Sequence, residues 1–217
     1  KGLVDSEGAL WPSVADVVKN ATADEVETEI RAQLERARTM GFEPTHMDSH
    51  MGTLFATPAF LERYVKVGIQ EKIPVMFPGG HNTAIRVDEN MSADMYALTQ
   101  AVGKQLWAAG LPVLDDLHNV SYGWRLPENP APTKEELQTF KTQKYIEGLK
   151  SLKPGLTMVI MHCTDPTEVF PIISTSTQTR EGDLLAMIDP KLKAYIEKEG
   201  IILTTFREVM QRRQRVK

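Results

Sequence analysis

Three side chains able to bind a cation or move a proton, His46, Asp48 and His50, occupy alternate positions in the stretch Pro44-Thr45-His46-Met47-Asp48-Ser49-His50. In an extended chain, residues i, i+2 and i+4 share one face. The spacing therefore predicts His46, Asp48 and His50 on one side and Thr45, Met47 and Ser49 on the other. Two imidazoles and a carboxylate gathered at a strand end suit a divalent cation. They also suit a catalytic histidine oriented through its second ring nitrogen. The competing reading is a buried polar strand whose histidines are satisfied by neighbours.

A bound divalent ion with open positions lowers the pKa of its water and makes a hydroxide-like nucleophile near neutral pH. Such a site cleaves amides and esters when a second group protonates the departing atom. His50, nearest the strand end, is the natural ligand. His46 and Asp48 are ligands or supports for them. His162, at the end of the apolar run Leu156 to Met161, is the candidate acid or a further ligand; capping a buried strand is its bland alternative. Asp115, Asp116 and His118 follow Leu111 to Leu114 and read as solvated loop residues. His81 lies in a polar loop and is given no role. Met76, Met95 and Met161 fit apolar cores.

These residues need elements to hold them. Thr22 and Glu25 form a capping box for a helix whose apolar stripe is Val26, Ile30, Leu34, Ala37 and Met40, ended by Gly41. Thr57 and Pro58 open a second helix lined by Phe60, Tyr64 and Val67. A third begins at Ser92, with Met95, Leu98, Val102, Leu106 and Ala109 inward. A fourth starts from the Thr133/Glu136 capping box and a fifth from Asp189-Pro190. The tail from Arg207 reads as helical and basic. Strands are expected at His46, at Ile73 to Phe77, Leu111 to Leu114, Leu156 to Met161 and Ile201 to Phe206, with polar loops at 81–90 and 164–182.

Five strands alternating with five or six helices in 217 residues predict one α/β domain with a parallel sheet. The choice lies between an open doubly wound sheet and a (β/α) barrel. In either, His50, Asp115, Asp116, His118 and His162 fall at the carboxyl edge of the strands, where ligands bind.

Composition narrows the function. A net charge of −4 with scattered Lys and Arg gives no nucleic-acid footprint. No apolar run approaches a membrane span. The lone Cys163 excludes an internal disulfide and a multi-cysteine metal site, and sets no compartment.

The Pro44–His50 stretch resembles the P-T-H-x-D-S-H motif of the YdjC-like carbohydrate deacetylases (the ChbG/HpnK family). The preceding helix, the Leu152-Lys153-Pro154-Gly155 turn, the strand ending at His162 and the closing Gly200–Arg207 segment extend the likeness over nearly the whole chain. The resemblance implies a polysaccharide-deacetylase-like (β/α) barrel that removes acetyl groups from N-acetylated sugars or oligosaccharides. It also implies a divalent metal (magnesium, zinc or nickel) held by an aspartate and two histidines. His50 matches one of those histidines, and His162 resembles the family's second active-site histidine. On this reading His50 and His46 are metal ligands, and His162 and Asp48 are catalytic. Independently of the resemblance, Trp124 and Tyr122 in a connecting loop are candidates to stack on a sugar, with core packing as the alternative, and Arg180 in the 164–182 segment is a candidate substrate contact.

Two departures accompany the likeness. The family's first-strand Asp-Asp pair and a following histidine motif are not in this sequence, and Cys163-Thr164 follows His162 where proline is common. The chain is accordingly expected to be an incomplete barrel lacking its first strands, beginning partway through a longer pattern. An open barrel exposes a sheet edge, which pairing into a homo-oligomer would cover. Two other functions stay open: a non-catalytic carbohydrate-binding or interaction domain, and an amidohydrolase or phosphoesterase barrel.

Overall fold

The computed structural model describes residues 1–216. Among them are ten α-helices and two strands. In chain order these are α1 (Val14–Asn20), α2 (Ala23–Thr39), α3 (Pro58–Glu71), α4 (Thr83–Asp88), α5 (Ala93–Ala108), β1 (Asp116–His118), α6 (Lys134–Ser151), β2 (Thr157–Val159), α7 (Phe170–Ile173), α8 (Thr177–Met187), α9 (Pro190–Lys198) and α10 (Phe206–Gln214). No helix among the described residues is long and apolar enough to cross a membrane. The chain divides into two compact units. One comprises Lys1–Gly79, Gln100–Val113 and Thr204–Lys217; the other comprises Gly80–Thr99 and Leu114–Leu203.

In the first unit the expected caps hold. The Thr22 hydroxyl accepts the Glu25 N–H and the Glu25 carboxylate accepts the Thr22 N–H, which fixes the start of α2. Thr57 caps α3 with Pro58 in the first turn. The two helices are laced by ion pairs of Glu27 with Arg31, Arg63 and Lys66, and of Glu71 with Arg31 and Arg38. Apolar burial does more of the work, at about 1.5–3 kcal/mol per large side chain. Leu61, Tyr64, Val65, Val75, Phe77, Leu106 and Leu111 form one core, with Met47 packed against it.

Gly103 of α5 lets that helix touch the chain at Gly79. A Cβ on Gly103 would lie 2.4 Å from the Gly79 carbonyl oxygen, a backbone atom that cannot swing aside.

The second unit contains the sheet. β1 and β2 are parallel, in the register Asp116–Thr157, Leu117–Met158 and His118–Val159. Its helices pack around a buried ion pair. Lys141 of α6 donates to Asp183 Oδ1 of α8 at 2.9 Å, to the Thr179 hydroxyl at 2.8 Å and to the Ser121 carbonyl at 2.9 Å. Both charged side chains are fully buried. Burial pushes the Lys141 amine below its usual range, and the Asp183 carboxylate pulls the other way. Gly182 leaves room for the lysine stem, whose Cγ would stand 2.8 Å from an added Cβ. Tyr145, Ala186 and Leu192 form the apolar core beside it.

The α/β class is as expected, but the strand count is not. Of five expected strands, only the late one survives as a ladder, shortened to Thr157–Val159 and half-buried. The His46 and Ile73–Phe77 segments meet in a single parallel bridge, Met47–Val75. Leu111 to Leu114 is not a strand; the ladder starts at Asp116. Ile201 to Phe206 forms no strand, and Ile202 and Leu203 are 81% and 76% exposed. Its end is claimed by the Thr205/Glu208 capping box that starts α10. The expected loops are partly helical, as α4 and as α7 and α8. Met95, Leu98 and Met161 are exposed rather than in a core.

Two stability outcomes follow from this packing. Gly103→Ala should lower unfolding stability by about 1–3 kcal/mol through overpacking, read as a reduced urea midpoint with an unchanged slope. Lys141→Met strands the Asp183 carboxylate and should cost about 3–5 kcal/mol. The double variant Lys141→Met/Asp183→Leu should recover most of that loss, and failure to recover would mean the pair is held for more than charge balance.

Candidate functional site

The first unit carries His46, Asp48 and His50. Met47 sits at the bridge, its N–H donating to the Pro74 carbonyl at 2.9 Å and its own carbonyl accepting from Met76 at 2.8 Å. The Tyr64 hydroxyl also donates to that carbonyl at 2.6 Å. This grip points Met47 into the core and buries Ser49, while Asp48 and His50 are exposed. The alternation read from the motif thus holds through Asp48. Beyond it the chain leaves the extended form. The Ser49 hydroxyl accepts the Leu54 N–H at 2.9 Å, and Met51 and Gly52 take φ of 55° and 69°. His50 opens this 3-10 turn (His50–Phe55) and does not end a strand.

His46 is half-buried. Its ring stacks on Phe206 with centroids 4.0 Å apart and planes 12° apart, and its Nδ1 lies 3.1 Å from the Thr45 hydroxyl. Burial lowers its pKa, opposed by the Asp48 charge. Burial, with a smaller contribution from Asp48, raises that of Tyr64. Asp48 Oδ1 accepts the Ser49 N–H at 2.6 Å.

The second unit carries His162, Trp124 and Arg180. The His162 main-chain N–H donates to Asp183 Oδ2 at 2.9 Å, so the buried carboxylate serves Lys141 and the His162 backbone at once. The imidazole is half-buried and meets Tyr122 edge-on, with ring centroids 5.1 Å apart. Arg180, on α8 and not in a loop, approaches the same tyrosine at 5.7 Å and donates from Nε to the Ser176 hydroxyl at 2.7 Å. His162 and Arg180 therefore share a neighbour, Tyr122. Trp124 is half-buried, edge-on to Tyr145 at 5.1 Å and to His118 at 5.5 Å, above the Lys141 amine.

Residues given no role in the sequence reading are more engaged than solvated loop positions. Asp116 is fully buried and accepts the Ala84 and Ile85 N–H groups at 2.8 and 3.2 Å, so it caps α4 from a distant strand. His81 Nδ1 lies 3.4 Å from the same carboxylate. His118 is 6% exposed, with its Nδ1 unpaired among the described residues. Gly148 leaves space for that ring: a Cβ there would stand 2.7 Å from His118 Nε2. Lys141 had a sequence signal, a lysine four residues after buried Leu137 and four before buried Tyr145 on one helix face.

Among the described residues no three His, Cys, Asp or Glu side chains converge closely enough to hold a metal ion. The residues present thus do not complete the metal site that the motif implied.

Residues 1–198 match the profile of the family described as YdjC-like protein. The chain is 25% identical over 195 residues to a carbohydrate deacetylase of Thermus thermophilus, covering 89% of this chain and 63% of that one. It is 34% identical over 87 residues to a carbohydrate deacetylase of Brevibacillus brevis, covering 40% of this chain and 34% of that one. The chain therefore spans less than two thirds of the length of these relatives. Among solved structures it resembles an Enterococcus faecalis protein assigned to cellobiose-phosphate cleavage. That likeness has a TM-score of 0.68 and 17% identity, over 96% of this chain and 69% of the other, and it supports the α/β fold. With 198 of its 217 residues under the family profile, the chain belongs to the YdjC-like protein family.

Proposed function

We propose that this chain is a carbohydrate deacetylase domain, an amide hydrolase that removes acetyl groups from N-acetylated sugars or oligosaccharides. The observation that carries the reading is the likeness to the Thermus thermophilus carbohydrate deacetylase through 89% of this chain. We further propose that its parallel segments belong to a (β/α) architecture of the polysaccharide-deacetylase type. The β1–β2 register and the parallel Met47–Val75 bridge support that architecture.

Amide hydrolysis needs a water added to the acetyl carbon and a proton delivered to the departing nitrogen, because an amine anion does not leave. His162 is the proposed proton donor, its main chain fixed by Asp183 and its ring braced by Tyr122. Within the first unit, Asp48 and His50 are exposed on the motif strand and its turn and are the proposed polar groups of the motif. A divalent ion (magnesium, zinc or nickel), where bound, supplies a water of lowered pKa. Among the described residues three donors do not converge. That same observation favours a second reading, a sugar-binding domain on this fold without catalysis.

Acetate release from N-acetylglucosamine oligosaccharides by the 217-residue chain separates the two. Deacetylation predicts acetate, lost in His50→Ala and reduced in kcat by roughly 10²–10⁴-fold in His162→Ala. An activated acetyl ester, whose leaving group needs no proton, should be spared in His162→Ala. Equal losses on ester and amide would overturn the acid role. Sugar binding without acetate would favour the binding domain, and phosphate release from an added phosphate ester, with no acetate from the oligosaccharide, would indicate a phosphoesterase.

A further inference from the structure

Between His162 and α8 the chain makes an excursion that closes on itself. Its two ends meet where the Thr164 N–H donates to the Arg180 carbonyl at 3.3 Å. Inside it the main-chain hydrogen bonds are local. Thr167 donates to Asp165, Phe170 to Thr167, Ile172 to Val169 and Ser174 to Phe170, at 2.9, 3.1, 3.0 and 3.0 Å. Asp165 and Glu168 take part in none of the ion pairs formed among the described residues of this unit. Pro166 and Pro171 each fix one φ and remove one donor, so 165–173 is stiff within itself. A loop of this kind, self-bonded and joined at a narrow base, can move as one body.

What the loop presents to solvent is apolar. Val169, Ile172 and Ile173 are 59%, 82% and 72% exposed, on and beside the single turn of α7. Isolated aliphatic residues on a surface are ordinary. Three within five residues of one self-contained loop are a cluster, and a cluster gains by leaving water.

The base of the loop lies beside the proposed proton donor. Thr164 is two residues from His162, and the imidazole meets exposed Tyr122 edge-on at 5.1 Å. Loops that close over bound substrate exclude water from such a site and hold the reacting groups together. A sugar ring offers C–H faces between its hydroxyls, and aliphatic side chains suit those faces.

We propose that 165–173 is a lid, which swings about the Thr164–Arg180 base and lays Val169, Ile172 and Ile173 over the apolar face of a sugar bound at His162. The inference rests on the deacetylase reading for where the sugar sits, and it adds to that reading the part that closes the site.

Hydrogen exchange of the 217-residue chain, with and without saturating N-acetylglucosamine oligosaccharide, tests the closure. Amides of 165–173 should exchange about tenfold or more slowly with the sugar bound. Unchanged exchange at saturation overturns the lid. Slowing that tracks protein concentration without sugar also overturns it, because a second copy would then cover the aliphatics. Ile172→Ser/Ile173→Ser alters side chains already in water, so its urea midpoint should match the parent's. Its kcat/KM should fall roughly tenfold on acetylated amide and activated acetyl ester of the same sugar alike. That pattern differs from His162→Ala, which spares the ester. A serine variant with the parent's kcat/KM overturns the lid. Acetate release on the same samples keeps the two readings apart. Exchange slowed by sugar with no acetate sinks the hydrolase and leaves the lid, and acetate with unchanged exchange does the reverse.

Discussion

The buried pair of Lys141 and Asp183 is the constraint on which the second unit turns. An ammonium without solvent needs every proton answered, and Lys141 finds three acceptors, one each from a 3-10 turn at Ser121 and from Thr179 and Asp183 of α8. Those acceptors come from chain segments far apart in sequence, so the lysine ties α6, α8 and the Ser121 turn at one point. Replacing such pairs by apolar groups is often neutral for stability. What the apolar version would lose is the second oxygen of Asp183, which fixes the chain at His162.

The first unit is organised around a carbonyl rather than a charge. The Met47 carbonyl accepts both the Met76 N–H and the Tyr64 hydroxyl, and so binds the motif strand to its neighbour and to α3. A single bridged residue is a short ladder, yet it orients the alternation around it. Met47 goes inward, Asp48 goes outward, and Ser49 turns back to close the next loop. Asp48 is outside because Met47 and Ser49 on either side of it are needed inside.

The helices were legible because their signals are local. Thr22/Glu25, Thr133/Glu136 and Thr57-Pro58 each state a helix start within a few residues, and each starts the helix expected. α4 was not legible, because its N-terminal N–H groups are capped by Asp116, more than thirty residues away. Strand extent was unreadable for the same reason. A parallel strand exists only where a distant partner supplies its hydrogen bonds, and apolar Ile201-Ile202-Leu203 joins no strand among the described residues, the Ile201 N–H donating instead to the Ile196 carbonyl of α9. The motif stretch announced its alternation but not the left-handed turn at Met51 and Gly52 that takes His50 off the strand. His162 was found from its place at the end of an apolar run. Its support from Asp183 was not, since only the fold brings α8 to it.

The way His162 is held separates stability from chemistry. Asp183 grips its main-chain N–H, a group every residue except proline carries, and Tyr122 meets the ring edge-on. Changing the imidazole therefore leaves the carboxylate satisfied and the Lys141 charge balanced. Changing Asp183 disturbs the lysine, the His162 backbone and the packing of α6 on α8 together. A proton donor needs a ring that can differ in charge from one moment to the next, set on a backbone that does not respond. Mooring the main chain with a permanently paired carboxylate, and bracing the ring by an uncharged edge contact, meets both demands.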